Sequence, residues 1–404
     1  MTHFTPAKLD ELRDAIATAL AAEEPVEIVG GGSKRALGRP LQTPHLLDVS
    51  RLSGIREYEA SELVLTAGAA TPLAEIERVL ADAGQMLAFE PPDWRGLFGG
   101  PEGHGGEPTL GGVLACNLAG PRRIKAGAAR DHFLGFRAVS GRAEAFKAGG
   151  KVVKNVTGYD LCKLLAGSYG TLAALEEVTI KVLPRPETVA TVLFCAVEPA
   201  AAVRLMSAAL GSPHEVSGAA YLPTGAMLVP ARTVALRVEG PAPSVAFRRE
   251  ALAWEHKGVA ATDFLAEAES SALWRATGEA APLAGLGERA VWRISVAPSR
   301  GAELVEAVGR ALDAAWFLDW GGGLVWAAVA GTEDGGADII RNAIRGADGR
   351  GTGHATLVRG SPALRRAVAV FEPQPEALAA LSRRVKDAFD PRHILNPGRM
   401  AEGL

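Results

Sequence analysis

The chain has 404 residues, 48% of them hydrophobic and 22% charged, so it can bury a large core and is not a disordered chain. Its formal net charge is −3, with no basic excess of the kind that binds nucleic acid or an anionic membrane. The cysteines Cys116, Cys162 and Cys195 lie far apart, which excludes a disulfide framework, a cysteine zinc site and an iron–sulfur cluster built from this chain.

In chain order, a helix is expected to open at Thr5-Pro6, with Leu9, Leu12, Ile16 and Leu20 at helical spacing. The charged residues Asp10, Glu11, Arg13 and Asp14 argue against a signal peptide there. A strand Val26–Val29 runs straight into Gly30-Gly31-Gly32-Ser33-Lys34. Further strands are read at His45–Val49 and at Leu63–Thr66, and a helix from Thr71-Pro72 to Gly84 carries Leu73, Ile76, Val79 and Leu80. A proline- and glycine-rich loop, 90–107, leads into a short buried helix from Thr109-Leu110-Gly111-Gly112. Strands follow at 133–139 and 178–183, around a short helix at Gly158-Tyr159-Asp160-Leu161. Pro184 and Pro186 punctuate the end of this region.

Beyond it, the strands 188–197, 233–238, 290–296 and 323–329 alternate with helices at 200–210, 245–256 and 301–314. This predicts a second α+β unit built from two similar strand–helix–strand halves. The longest uncharged stretch, 216–231, holds two prolines and is too short to span a bilayer. The chain closes with a helix through Leu378, Leu381, Val385 and Phe389, then Asp390-Pro391-Arg392-His393-Ile394-Leu395-Asn396-Pro397-Gly398.

Two glycine clusters stand out chemically. A strand ending in consecutive glycines exposes amides that can cradle an anion, and Ser33 and Lys34 add a hydroxyl and a positive charge. The spacing is neither a GxGxxG dinucleotide fingerprint nor a Walker A loop. The second cluster, Thr109, Gly111 and Gly112 with Asn117, Gly127 and Asp131 after it, again brings backbone close to something bulky. Two such loops about 80 residues apart point to an extended ligand with a central pyrophosphate.

The motifs VGGGSK (29–34), EPTLGGVLACNLAGPRR (107–123), AARDHFLG (128–135), the segment 152–186 and FDPRHILNPG (389–398) together resemble the FAD-binding proteins of the vanillyl-alcohol-oxidase superfamily. Among these the chain is most similar to the E-type subunits of bacterial glycolate oxidase. The resemblance implies an α+β fold: a two-lobed PCMH-type FAD domain over 1–186, an α+β cap over 187–374, and a tail, 375–404, returning to the flavin. It implies that Gly30, Gly31, Gly32, Ser33 and Lys34 meet the pyrophosphate. Thr109, Gly111, Gly112 and Asn117 would form the second loop, continued by Gly127 and Asp131. Leu175 would lie near the adenine, and Asn396 would reach the isoalloxazine.

Covalent members carry a flavin-linking histidine where Ser33 and Lys34 stand, so noncovalent FAD is expected. Members that oxidise 2-hydroxy acids by themselves carry a histidine motif in the cap. The corresponding stretch here, Asp319–Trp326, has none, and His354 stands alone. That implies no metal site, and a chain that works beside a D-type flavin subunit and an iron–sulfur subunit in oxidising glycolate. Such a chain would be cytoplasmic and reach the inner membrane only through its partners. A free-standing FAD oxidoreductase for another 2-hydroxy acid or alcohol stays open, as does a mainly structural subunit with a vestigial flavin site. No catalytic residue is assigned from the sequence.

Overall fold

The computed structural model describes residues 2–98, 106–151, 158–224, 229–346, 349 and 351–403. Lys154 and the rest of 152–157 lie outside the described residues.

The first region builds two sheets of functional interest. Strand Thr2–Phe4, which the sequence reading missed, pairs in parallel with His45–Asp48, which pairs in parallel with Val26–Val29. The first helix starts later than expected, at Leu9, with Lys8 rather than Thr5 at its cap. It runs to Ala22 and buries Leu12, Ala15, Ile16 and Ala19 on this small sheet. Beside it lies a five-stranded antiparallel sheet in the order Ile55–Glu59, Val64–Gly68, Ala173–Lys181, Phe133–Ser140, Ala145–Gly149. Ala173–Lys181 begins five residues before the strand read from the sequence, and Leu175 lies inside it.

The second region is one eight-stranded antiparallel sheet. Each half runs strand–helix–strand–strand–helix–strand, twice the unit predicted. The first half spans Thr188–Cys195 to Ala261–Leu265 and the second Ala290–Val296 to Gly353–Arg359. They join where Gly218–Leu222 meets Ala314–Asp319, through Tyr221 opposite Leu318. The helices Pro199–Leu210, Ala242–Glu255, Gly301–Ala311 and Ala337–Arg345 cover one face, packing on Val192, Leu236, Trp292 and Val325. Leu193, Ala220, Phe317 and Trp326 on the other face enter a core shared with Phe89, Trp94, Leu97 and Leu114 of the first region. The sheet thereby closes one side of the first region.

The final helix, Glu376–Phe389, delivers the tail back to the start of the chain. Leu395 bridges Val26 in parallel, and the amide of Asn396 donates to the Val26 carbonyl.

Candidate functional site

A cleft lies where the small sheet, the Thr109 loop, the strand Ala173–Lys181 and the tail converge. Its floor is Gly30–Lys34. The amides of Gly31, Gly32, Ser33 and Lys34 donate to no acceptor among the described residues. Gly32 has φ +77°, which suits an anion-cradling turn.

The loop also demands glycine. A Cβ on Gly31 would collide with the Glu107 carbonyl, and one on Gly30 would crowd Thr109 Oγ1 at 3.2 Å. Lys34 hydrogen-bonds Ser33 Oγ at 3.2 Å and pairs with no carboxylate among the described residues. Burial pushes its pKa down, as expected of an ammonium awaiting an anion.

The second loop supports the first. Thr109 caps the helix Leu110–Cys116, its Oγ1 accepting from the Gly112 amide. Gly111 sits so close to Ala69 that a Cβ would approach the Ala69 carbonyl at 2.7 Å. Cys116 lines the cleft with its thiol pushed up to about 11 by burial, so it stays protonated near neutrality. Leu175 and Asn396 line the cleft as well. Asn396 accepts from the Ile28 amide at 2.8 Å and donates to the Tyr169 carbonyl at 2.8 Å, fixing the tail across the mouth of the first loop.

Ten of the thirteen residues singled out from the sequence line this cleft. The other three do not. Asn117 accepts from the Arg130 amide, and Asp131 accepts from the Ala128 amide. Gly127, at φ +86°, packs against Asp131. They shape the segment behind the second loop.

Three groups that the sequence reading did not single out also belong here. Arg399 threads behind the first loop, donating to the carbonyls of Arg35 and Leu37 and to Glu27 at 2.9 Å. Burial would raise the Glu27 pKa, but Arg35 and Arg399 hold it below the usual carboxylate range. Tyr169 lines the cleft in a left-handed conformation, φ +54°, that a tyrosine adopts only when its surroundings impose it. None of the three carried a local signal in the sequence; Glu27, Arg399 and Tyr169 gain meaning from contacts between distant segments.

The cleft thus offers amides without an acceptor and a cation without an ion pair among the described residues, a hydroxyl and close backbone approach along one face, with apolar Val49, Ala173 and Leu175 on another. These features fit a dinucleotide whose charge lies at its centre. Among the described residues, no three His, Cys, Asp or Glu side chains are placed to hold a metal ion.

The sequence profile of the FAD binding domain family matches residues 3–149. That of the C-terminal domain of FAD linked oxidases matches 365–400. The chain is 35% identical over 397 residues to the glycolate oxidase subunit GlcE of Escherichia coli (strain K12), covering 98% of this chain and 97% of that one. It is 28% identical over 191 residues to the glycolate oxidase subunit GlcD of Bacillus subtilis (strain 168), covering 47% and 38%. Among solved structures, p-cresol methylhydroxylase with substrate bound superposes with a TM-score of 0.69 at 13% identity, over 99% of this chain and 88% of that one. A 4-ethylphenol oxidase from Gulosibacter chungangensis superposes equally well at 15% identity over the same shares, so the chain shares the fold of these two proteins. With a full-length relative at this identity and FAD-domain profiles at both ends of the chain, the chain belongs to the family of FAD-linked oxidoreductases represented by the glycolate oxidase subunit GlcE.

Proposed function

We propose that this chain is the FAD-binding subunit of a glycolate-oxidising complex, converting glycolate to glyoxylate together with a D-type flavin subunit and an iron–sulfur subunit. The observation that carries the reading is the glycine-lined cleft within a chain matched end to end by a glycolate oxidase subunit. Bound FAD supplies a two-electron acceptor. Gly30–Lys34 receive its pyrophosphate, Thr109, Gly111 and Gly112 bring backbone against it, Leu175 covers the adenine, and Asn396 faces the ring system. Asn117, Gly127 and Asp131 set the shape of the segment that supports the second loop.

The FAD is held noncovalently, because the first loop presents a hydroxyl and an ammonium rather than an imidazole. Residues 1–186 form the FAD domain, 187–374 the cap and 375–404 the returning tail. The complex works on the cytoplasmic side and reaches the inner membrane through its partners. In support, no helix among the described residues is long and apolar enough to cross a membrane.

The test is to purify the chain alone and record its flavin spectrum, then precipitate it with acid and add glycolate anaerobically to a second sample. FAD in the supernatant and an unbleached flavin band that bleaches only with partners present are expected. Robust glycolate turnover by the isolated chain would replace this reading with the free-standing enzyme.

A further inference from the structure

The two edges of the eight-stranded sheet are finished differently. In the second half the edge strand Gly353–Arg359 is covered by the chain itself. Its Leu357 amide donates to the Val370 carbonyl at 2.8 Å, and its Ala355 amide to the Glu372 carboxylate at 3.1 Å. The matching edge of the first half, Ala261–Leu265, has no such cover among the described residues. There Phe264 lies opposite Val192 and Thr262 opposite Phe194. The Phe264 amide donates to its neighbour Asp263 at 2.8 Å and so points away from the sheet. Main-chain groups two residues apart on a strand point the same way, so the Thr262 amide and carbonyl also face outward. Neither has a hydrogen-bond partner among the described residues.

Large apolar side chains stand beside this open edge. Phe247 and Trp254 lie about two turns apart on one face of the helix Ala242–Glu255, 71% and 69% exposed. Val259, 49% exposed, continues the patch into the loop that enters the strand. Arg249 ties helix to strand, its guanidinium carbon 5.1 Å from the Phe264 ring centroid. Aromatic rings left this far in water, in one cluster, are the anchors around which protein interfaces form.

The surrounding charges set the character of the partner. Glu250, Glu255, Asp263, Glu267 and Glu269 are all exposed. Against them stand Lys257, whose ammonium lies 3.0 Å from the Trp254 ring centroid, and Arg249, whose Nε is 3.3 Å from Glu250. The face is acidic, so a second copy of this chain would bring like charge against like, whereas a basic partner is attracted.

We propose that this edge and its aromatic patch dock an extended segment of another subunit, with apolar residues at its centre and Lys or Arg at its flanks, which adds a strand to the sheet. Main-chain bonds to Thr262 set its register, Phe247 and Trp254 supply the apolar contact, and the acidic rim selects its charge. The covered edge of the second half shows that this sheet accepts an extended segment at the equivalent place, where Val370 is buried. The inference rests on the reading of the chain as one subunit of a glycolate-oxidising complex.

The test uses the chain co-expressed with its D-type flavin and iron–sulfur subunits. Affinity between the chain and these partners is measured for wild type, Phe247→Ala/Trp254→Ala, Asp263→Lys/Glu267→Lys and Thr262→Pro. None of the altered residues lines the flavin cleft, so FAD content should match wild type in each. The aromatic pair should cost roughly tenfold or more in affinity. The charge reversal should weaken binding and remove its dependence on salt. Thr262→Pro deletes an outward amide without touching the existing ladder and should also weaken binding. Partners that bind the aromatic variant as tightly as wild type overturn the site, and unchanged binding in Thr262→Pro overturns the added strand. Should that variant not fold, hydrogen exchange at the Thr262 amide decides: slowed exchange in the wild-type complex is expected, and unchanged exchange overturns the strand. A wild-type chain that pairs with itself through these residues overturns the choice of partner. A folded wild type that binds neither subunit overturns the functional reading instead, and this site with it.

Discussion

Single residues decide whether the first glycine loop can hold a ligand. Gly31 has no room for a side chain because the Glu107 carbonyl already occupies that space. Gly31→Val should therefore force the two glycine loops apart and abolish FAD binding, read as a lost flavin absorbance in protein that still purifies folded. Lys34 tests the electrostatics separately. Lys34→Met removes a half-buried charge that forms no ion pair among the described residues, so FAD affinity should fall about tenfold or more while thermal stability holds or rises. Equal FAD affinity in the variant would place the pyrophosphate elsewhere. These residues were legible in the sequence because their chemistry is local: adjacent glycines, a hydroxyl and an amine in five consecutive positions. Tyr169 and Arg399 were not, since each is ordinary until the fold brings it to the cleft.

At the scale of elements, the final helix and its tail act as a unit. Buried Lys386 donates to Asp390 at 2.6 Å and to the carbonyls of Thr171 and Leu395 at 2.7 Å and 3.0 Å. Asp390 in turn accepts from the amides of Ile394 and Leu395. Breaking one side of a buried pair costs about 3–5 kcal/mol, because the other charge is left stranded. Lys386→Met should therefore lower Tm by several degrees and release the tail, with partial loss of FAD. A variant as stable as wild type would show that the pair is not needed. The sequence revealed this helix through its apolar spacing but not the lysine's role, which depends on contact with a loop over 200 residues away. Strands were missed where the pattern carries no alternation. Gly218–Leu222 is buried throughout and hidden in an uncharged run, while the edge strand Ala261–Leu265 is mostly exposed.

The whole molecule is clamped by a charge network across its two regions. Arg122 and Glu90 of the first region meet Glu239 and Arg237 of the second, with Arg237 Nη1 at 2.7 Å from Glu90 and Arg122 Nε at 3.0 Å from Glu239. Burial by itself would raise the Glu239 pKa, but Arg237 and Arg122 outweigh it and hold it at about 2, against an ordinary 4.5. A carboxylate depressed on folding contributes stability above its unfolded pKa and loses it as the pH falls toward the folded value. The clamp should accordingly weaken between pH 4.5 and about 2. Wild type should lose stability steeply across that window in urea melts, and Glu239→Gln should flatten the slope while lowering stability at pH 7. An unchanged acid profile in the variant would assign the loss to other carboxylates.

The returning tail has a consequence for biogenesis. Asn396 and Arg399 bind groups 368 and 362 residues earlier in the chain, so one wall of the cleft exists only after both segments have been made. A nascent chain on the ribosome can fold its first helix and sheets before this segment emerges, with that wall still open. Chains cut short before Asn396 are expected to lack a completed cleft.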